Sequence, residues 1–159
     1  MAWLFRTLLV LPLLLAACKK DAPFDVGKDL MPKGATMVIM GATTDPNVWQ
    51  RSFTAQVNYP KLAITDDAFA RMKTEGWKQC PTGSDEWRNY IDRSKAVPAT
   101  VYQREQHWRR NNDFLKITYA YREELGSETR AQRVTLAYQG ARTGQDLDRW
   151  NKFLASCTG

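Results

Sequence analysis

The chain has 159 residues, with 23 lysines and arginines against 17 aspartates and glutamates and a formal net charge of +6. That length holds one domain with a real core and hardly two, and the basic excess favours an anionic partner: lipid headgroups, peptidoglycan carboxylates or an acidic protein. No glycine-rich phosphate loop, G-x-S-x-G elbow, S-x-x-K pair or H-E-x-x-H helix occurs, so the enzyme classes that those motifs mark are not indicated.

Residues 1–20 read MAWLFRTLLV LPLLLAACKK. Arg6 near the start, an apolar run from Thr7 to Leu15 and small residues ahead of a cleavage point make up a secretory signal peptide, residues 1–17, too short to span a bilayer. Leu15-Ala16-Ala17-Cys18 also resembles the lipobox of bacterial lipoproteins at all four positions, a resemblance that covers the leader alone. It implies cleavage after Ala17, a diacylglyceryl group on the Cys18 thiol and an acylated amino terminus. In lipoproteins of the enteric type, aspartate after the cysteine marks inner-membrane retention. Lys19 stands there instead, so the resemblance implies the periplasmic face of the outer membrane rather than the inner one. Cleavage removes 17 of the 159 residues and the charge of Arg6, leaving 142 residues at +5. Export also sets nucleic acid aside as the partner of a basic chain.

With Cys18 given to lipid, Cys80 and Cys157 remain, and two cysteines in an oxidising compartment most simply form one disulfide. Together with the single His107 they supply too few soft ligands for a metal site. No cofactor motif occurs either.

Residues 18–34 are polar, with Pro23, Gly27, Pro32 and Gly34, the composition of a flexible tether; Lys19 and Lys20 can lie against anionic headgroups. The domain proper is expected over 35–159. Ala35–Met40 is a short apolar strand, and Phe53, Ala55, Val57 and Tyr59 alternate along a second that Pro60 ends. Thr65 or Asp66 caps a helix running to about Glu75, with Phe69 and Met72 as its stripe and Gly76 at its C′ position. Strands follow over 87–91, 100–108, 114–123 and 130–139. Leu115, Ile117, Tyr119 and Tyr121 share one face of the third of these, and Val134, Leu136 and Tyr138 one face of the fourth. A terminal helix over 145–156 carries Leu147, Trp150 and Leu154. The expectation is an α+β fold: an antiparallel sheet of five or six strands, two helices packed on one face, and one disulfide.

The strand over 100–108 has two polar faces, Val101-Gln103-Glu105-His107 and Tyr102-Arg104-Gln106-Trp108. Such a strand is either an edge blunted by charge or a recognition surface. Tryptophan and arginine dominate binding hot spots, so Arg104, Trp108, Arg109, Arg110 and Trp49 are the candidate partner-binding residues. Without a catalytic constellation, the chain is expected to bind without catalysis as an accessory or assembly factor of an envelope or secretion system. The alternative is an immunity or inhibitor lipoprotein that neutralises a toxin or hydrolase acting in the periplasm.

Overall fold

The computed structural model describes residues 23–41, 47–81, 85–94, 98–123, 131–140, 155 and 157. Within them the order is α1 (Val26–Asp29), β1 (Thr36–Gly41), β2 (Val48–Gln56), α2 (Asp66–Thr74), β3 (Lys78–Gln79), β4 (Arg88–Asp92), β5 (Ala99–Arg110), β6 (Asp113–Glu123) and β7 (Ala131–Gln139). The strands form one antiparallel sheet, ordered β1-β2-β7-β6-β5, with β3 and β4 both on the far flank of β5. This is the expected α+β class. All six expected strands are present, and the seventh, β3, is two residues long.

Alternation on β6 and β7 decides which face is dry. Trp108, Leu115 and Tyr138 lie in one cross-strand row, and Arg51, Leu136, Ile117 and Gln106 in the next. Phe53, Val134 and Tyr119 continue the same face. Both helices cover it: Val26 and Leu30 of α1 and Phe69 and Met72 of α2 belong to its core. The tight turn between β5 and β6 places Asn111 at φ +53°, a left-handed conformation that asparagine tolerates.

Helix α2 begins and ends as its sequence indicates. The Thr65 hydroxyl accepts from the Ala68 amide, and Asp66 and Asp67 sit in the first turn against the positive dipole end. At the other end Gly76 adopts φ +86°, its amide donates to the Lys73 carbonyl, and the Trp77 amide donates to that of Met72. This paired closure is the Schellman motif, and it buries Trp77 beside Met72.

Two expectations are corrected. The segment read as a tether over 18–34 is packed from residue 24: Phe24, Val26 and Leu30 are core residues, Leu30 only 1% exposed. Asp25 accepts from the Gly27 amide while its own amide donates to Asp29, which closes the single turn of α1. A Cβ on Gly27 would stand 2.4 Å from Arg51 Nη1, the far end of a flexible side chain, and 3.1 Å from the Trp49 ring, so a larger residue there would make those side chains shift. The strand β5, expected to be either a charge-blunted edge or a recognition surface, is internal over most of its length. It pairs with β6 throughout, with β4 along Ala99–Gln103 and with β3 at Trp108 and Arg109.

Cys80 and Cys157 form the disulfide and are buried with Phe114. Phe114 precedes the core residue Leu115, so it projects from the face opposite the helices. The helix expected over 145–156 falls almost wholly outside the described residues, as do the leader and Cys18.

Candidate docking edge

The residues singled out in the sequence are all placed, Cys18 excepted, and they do not form one surface. Trp108 is 1% exposed and stacked on Phe69, ring centroids 5.2 Å apart and 6° from parallel. It is core and cannot meet a partner, because its end of β5 lies under α2. Arg104 is tied to Asp85 at 3.3 Å, and Asp85 also accepts from the Gln79 side chain, closing the gap on β5 between β3 and β4. Arg109 donates to the Asn111 carbonyl. Arg110 pairs with Asp113 and lies 5.0 Å over the Trp77 ring. Trp49 is stacked on Tyr138 at 5.1 Å, with the Arg51 guanidinium 4.8 Å from its centre. Arg110, Trp77, Tyr138, Trp49 and Arg51 thus make a row of three rings with a cation at each end. Such contacts contribute on the order of 0.5–1 kcal/mol each where partly solvated, so the row braces the fold.

The exposed apolar surface lies instead on β4. Four of its five residues are exposed, and Tyr90 (52%) and Ile91 (59%) are the most exposed large hydrophobic side chains among the described residues. β4 pairs in unbroken register with β5, Arg88 opposite Gln103 to Asp92 opposite Ala99. Its other edge has no strand partner among the described residues. It carries no proline, lysine or bulge, and its charges, Arg88 and Asp92, stand at its two ends and leave Tyr90 and Ile91 between them. Tyr90 points to the face away from the helices and Ile91 to the helix face.

A braced platform stands behind this edge. Tyr59, Trp87, Tyr102 and Tyr121 cluster with centroids 4.7–5.6 Å apart, and Trp87 is the residue just before β4. The chain over 59–63, which includes a cis Tyr59–Pro60 bond, is fixed by Gln132. That fully buried side chain accepts from the Ala63 amide and donates to the Lys61 carbonyl, which also takes the Tyr121 hydroxyl at 2.7 Å. Buried polar groups satisfied in this way hold a segment in one position. At the end of β4, Asp92 accepts from the Ser94 amide and pairs with Arg122. The Ser94 hydrogen bonds and the Arg122 guanidinium hold its carboxyl down to about 2. Its share of stability is therefore present in full above the ordinary carboxylate range, shrinks as the pH falls below that range and is lost once the pH has passed about 2.

The Tyr102 hydroxyl is raised by the Glu123 carboxylate to which it donates, and burial pushes Tyr121 up to about 12, so both stay protonated at neutral pH. His107 faces Glu105 at 3.8 Å and the Phe114 ring, and Cys80 is held in the disulfide. Among the described residues no three histidine, cysteine or acidic side chains gather as a metal site, and no helix is long and apolar enough to cross a membrane. No protein family, curated protein or solved structure matches the chain.

Tyr90 and Ile91 were missed in the sequence. In a five-residue strand with one large apolar side chain on each face, alternation carries no signal. The available hint was Tyr-Ile between Arg88 and Asp92, a strand with no dry side.

Proposed function

We propose that the chain is a membrane-anchored, non-catalytic binding lipoprotein that serves as an accessory or assembly factor of an envelope or secretion system. It takes an extended segment of its protein partner as an added strand along β4. The observation that carries this reading is a strand edge with no strand partner among the described residues and with Tyr90 and Ile91 exposed on its two faces. In strand addition, backbone hydrogen bonds supply affinity and alternate side chains supply specificity. The aromatic cluster behind Trp87 limits how much β4 must order on binding, which lowers the cost of association.

The test is a photo-crosslinking residue at position 91 or 90 of the full chain in its own cells, with the partner identified by mass spectrometry. Tyr90→Lys/Ile91→Lys should reduce capture of that partner at least about tenfold, while exposed substitutions leave stability within roughly 0.5 kcal/mol. Capture unchanged by the double variant would overturn docking at β4. A crosslinked toxin or hydrolase would make the protein an immunity factor instead. The anchor has its own test: Cys18→Ala should abolish lipid labelling and release the protein from membranes, and membrane retention of that variant would remove lipidation from the reading.

A further inference from the structure

The face of the sheet turned away from the helices holds a cleft of about 470 Å³ beside β4. Apart from Tyr121, whose register belongs to the helix face, the registers place its lining on that face: Tyr90 lies opposite Val101, Val101 opposite Arg122, Ala120 opposite Arg133, and Arg133 opposite Thr54. One wall is Tyr90 and Asp92, the other Arg133 and Thr54, with Arg122 between them. Ala120 contributes only a methyl group to the floor, which gives the cleft its depth.

Its charges are unbalanced. Arg122 and Arg133 are diagonal neighbours on adjacent strands, a spacing of about 7–8 Å over which long side chains interact and like charges repel. Asp92 answers Arg122 and is further held by the Ser94 amide. Arg133 is exposed and has no hydrogen-bonding or ionic partner among the described residues. Among the described residues, one positive charge therefore remains at the wall of the cleft, and the one acidic lining residue among them, Asp92, is already engaged. A guanidinium binds a carboxylate through two parallel hydrogen bonds. The Thr54 hydroxyl stands beside it as a further donor, and the half-exposed ring of Tyr90 offers an apolar wall to whatever carries the acid. The volume falls in the range of small-molecule sites and far exceeds a bare ion.

We infer that this cleft binds a carboxylate carried on a body of amino-acid, dipeptide or acidic-sugar size, with Arg133 as the ligand's partner. The site shares Tyr90 with the strand-addition edge, but its ligand partner Arg133 and the neighbouring Thr54 lie on β7 and β2, away from that edge.

The test uses the full chain purified in detergent and titrated by calorimetry and amide NMR. Acetyl-Ala-Glu-Ala-amide and N-acetylmuramic acid cover the peptide and sugar sources. Acetyl-Ala-Gln-Ala-amide and N-acetylglucosamine are their neutral counterparts, and inorganic phosphate is the other anion. At least one acid should bind saturably with shifts centred on Tyr90, Ala120 and Arg133, and its neutral counterpart should not. Arg133→Gln should weaken it about tenfold or more. Lys73→Gln, which removes the same charge from the exposed side of α2, should not. Thr54→Val, a smaller change, should weaken it without altering the fold. Equal binding of acid and neutral probe, phosphate binding as strong as the acids, equal loss in the Arg133 and Lys73 variants, or no binding to either acid would each overturn the assignment.

Discussion

Trp108→Ala will cost roughly 3–5 kcal/mol of folding stability, measured by urea unfolding followed by circular dichroism. The indole is 1% exposed, lies parallel to Phe69 of α2 and stands opposite Leu115 of β6. Its removal therefore takes away the contact that fixes α2 on the sheet and leaves a void that close-packed neighbours fill only in part. The indole N–H, however, is buried with no acceptor among the described residues. Trp108→Phe keeps the stack and removes that unsatisfied donor, so its cost should fall well below that of alanine, to about 2 kcal/mol or less. A loss under about 1 kcal/mol for alanine would refute the core placement and return Trp108 to the surface role that its position beside Arg109 and Arg110 suggests in the sequence.

That contrast shows where sequence patterns carry information and where they stop. Helix α2 is legible because its cap, apolar stripe and closing glycine stand at fixed local spacings, each with its own physical cause. β6 and β7 are legible because one whole face of each is dry along its length. β5 is not, because one face runs from half-buried Tyr102 and Arg104 to buried Gln106 and Trp108. Gln106 looks solvated in sequence, yet it accepts the Tyr119 hydroxyl inside the core, a pairing set by a distant residue. The same holds for the flank of β5: a strand with charges on both faces reads as an edge until the partners β3 and β4 are known. The single turn of α1 is too short to show a period, and the lysines, prolines and glycines of the segment around it outweigh three apolar residues in any composition-based reading. The candidate site was the least legible part, because exposure of Tyr90 and Ile91 follows from the place of β4 in the sheet and not from its own residues.

The second large effect belongs to the disulfide. Closing a loop with a sequence separation of 77 removes about 4.5 kcal/mol of chain entropy from the unfolded state. That is a third or more of the 5–15 kcal/mol by which domains of this size are stable. Cys80 follows β3, whose two residues pair with Arg109 and Trp108, and its own amide donates to the His107 carbonyl. The bond therefore ties position 157 to the β5–β6 end of the sheet, where Phe114 packs on both cysteines. Reduction should lower stability by about 3–4.5 kcal/mol, and Cys80→Ala/Cys157→Ala should match the reduced wild type to within the packing lost around Phe114. Reductant should then leave the double variant unchanged, which separates loop closure from any direct action of the reductant on the fold. Wild-type unfolding that is insensitive to reductant, or two free thiols in non-reducing mass spectrometry, would remove the cross-link from the account. Loss of the bond should leave β4 in place, since its register is set by Ala99–Gln103 at the opposite end of β5. Partner capture should therefore survive reduction at temperatures where the sheet remains folded, and its loss there would mean that docking extends to the disulfide end of the sheet.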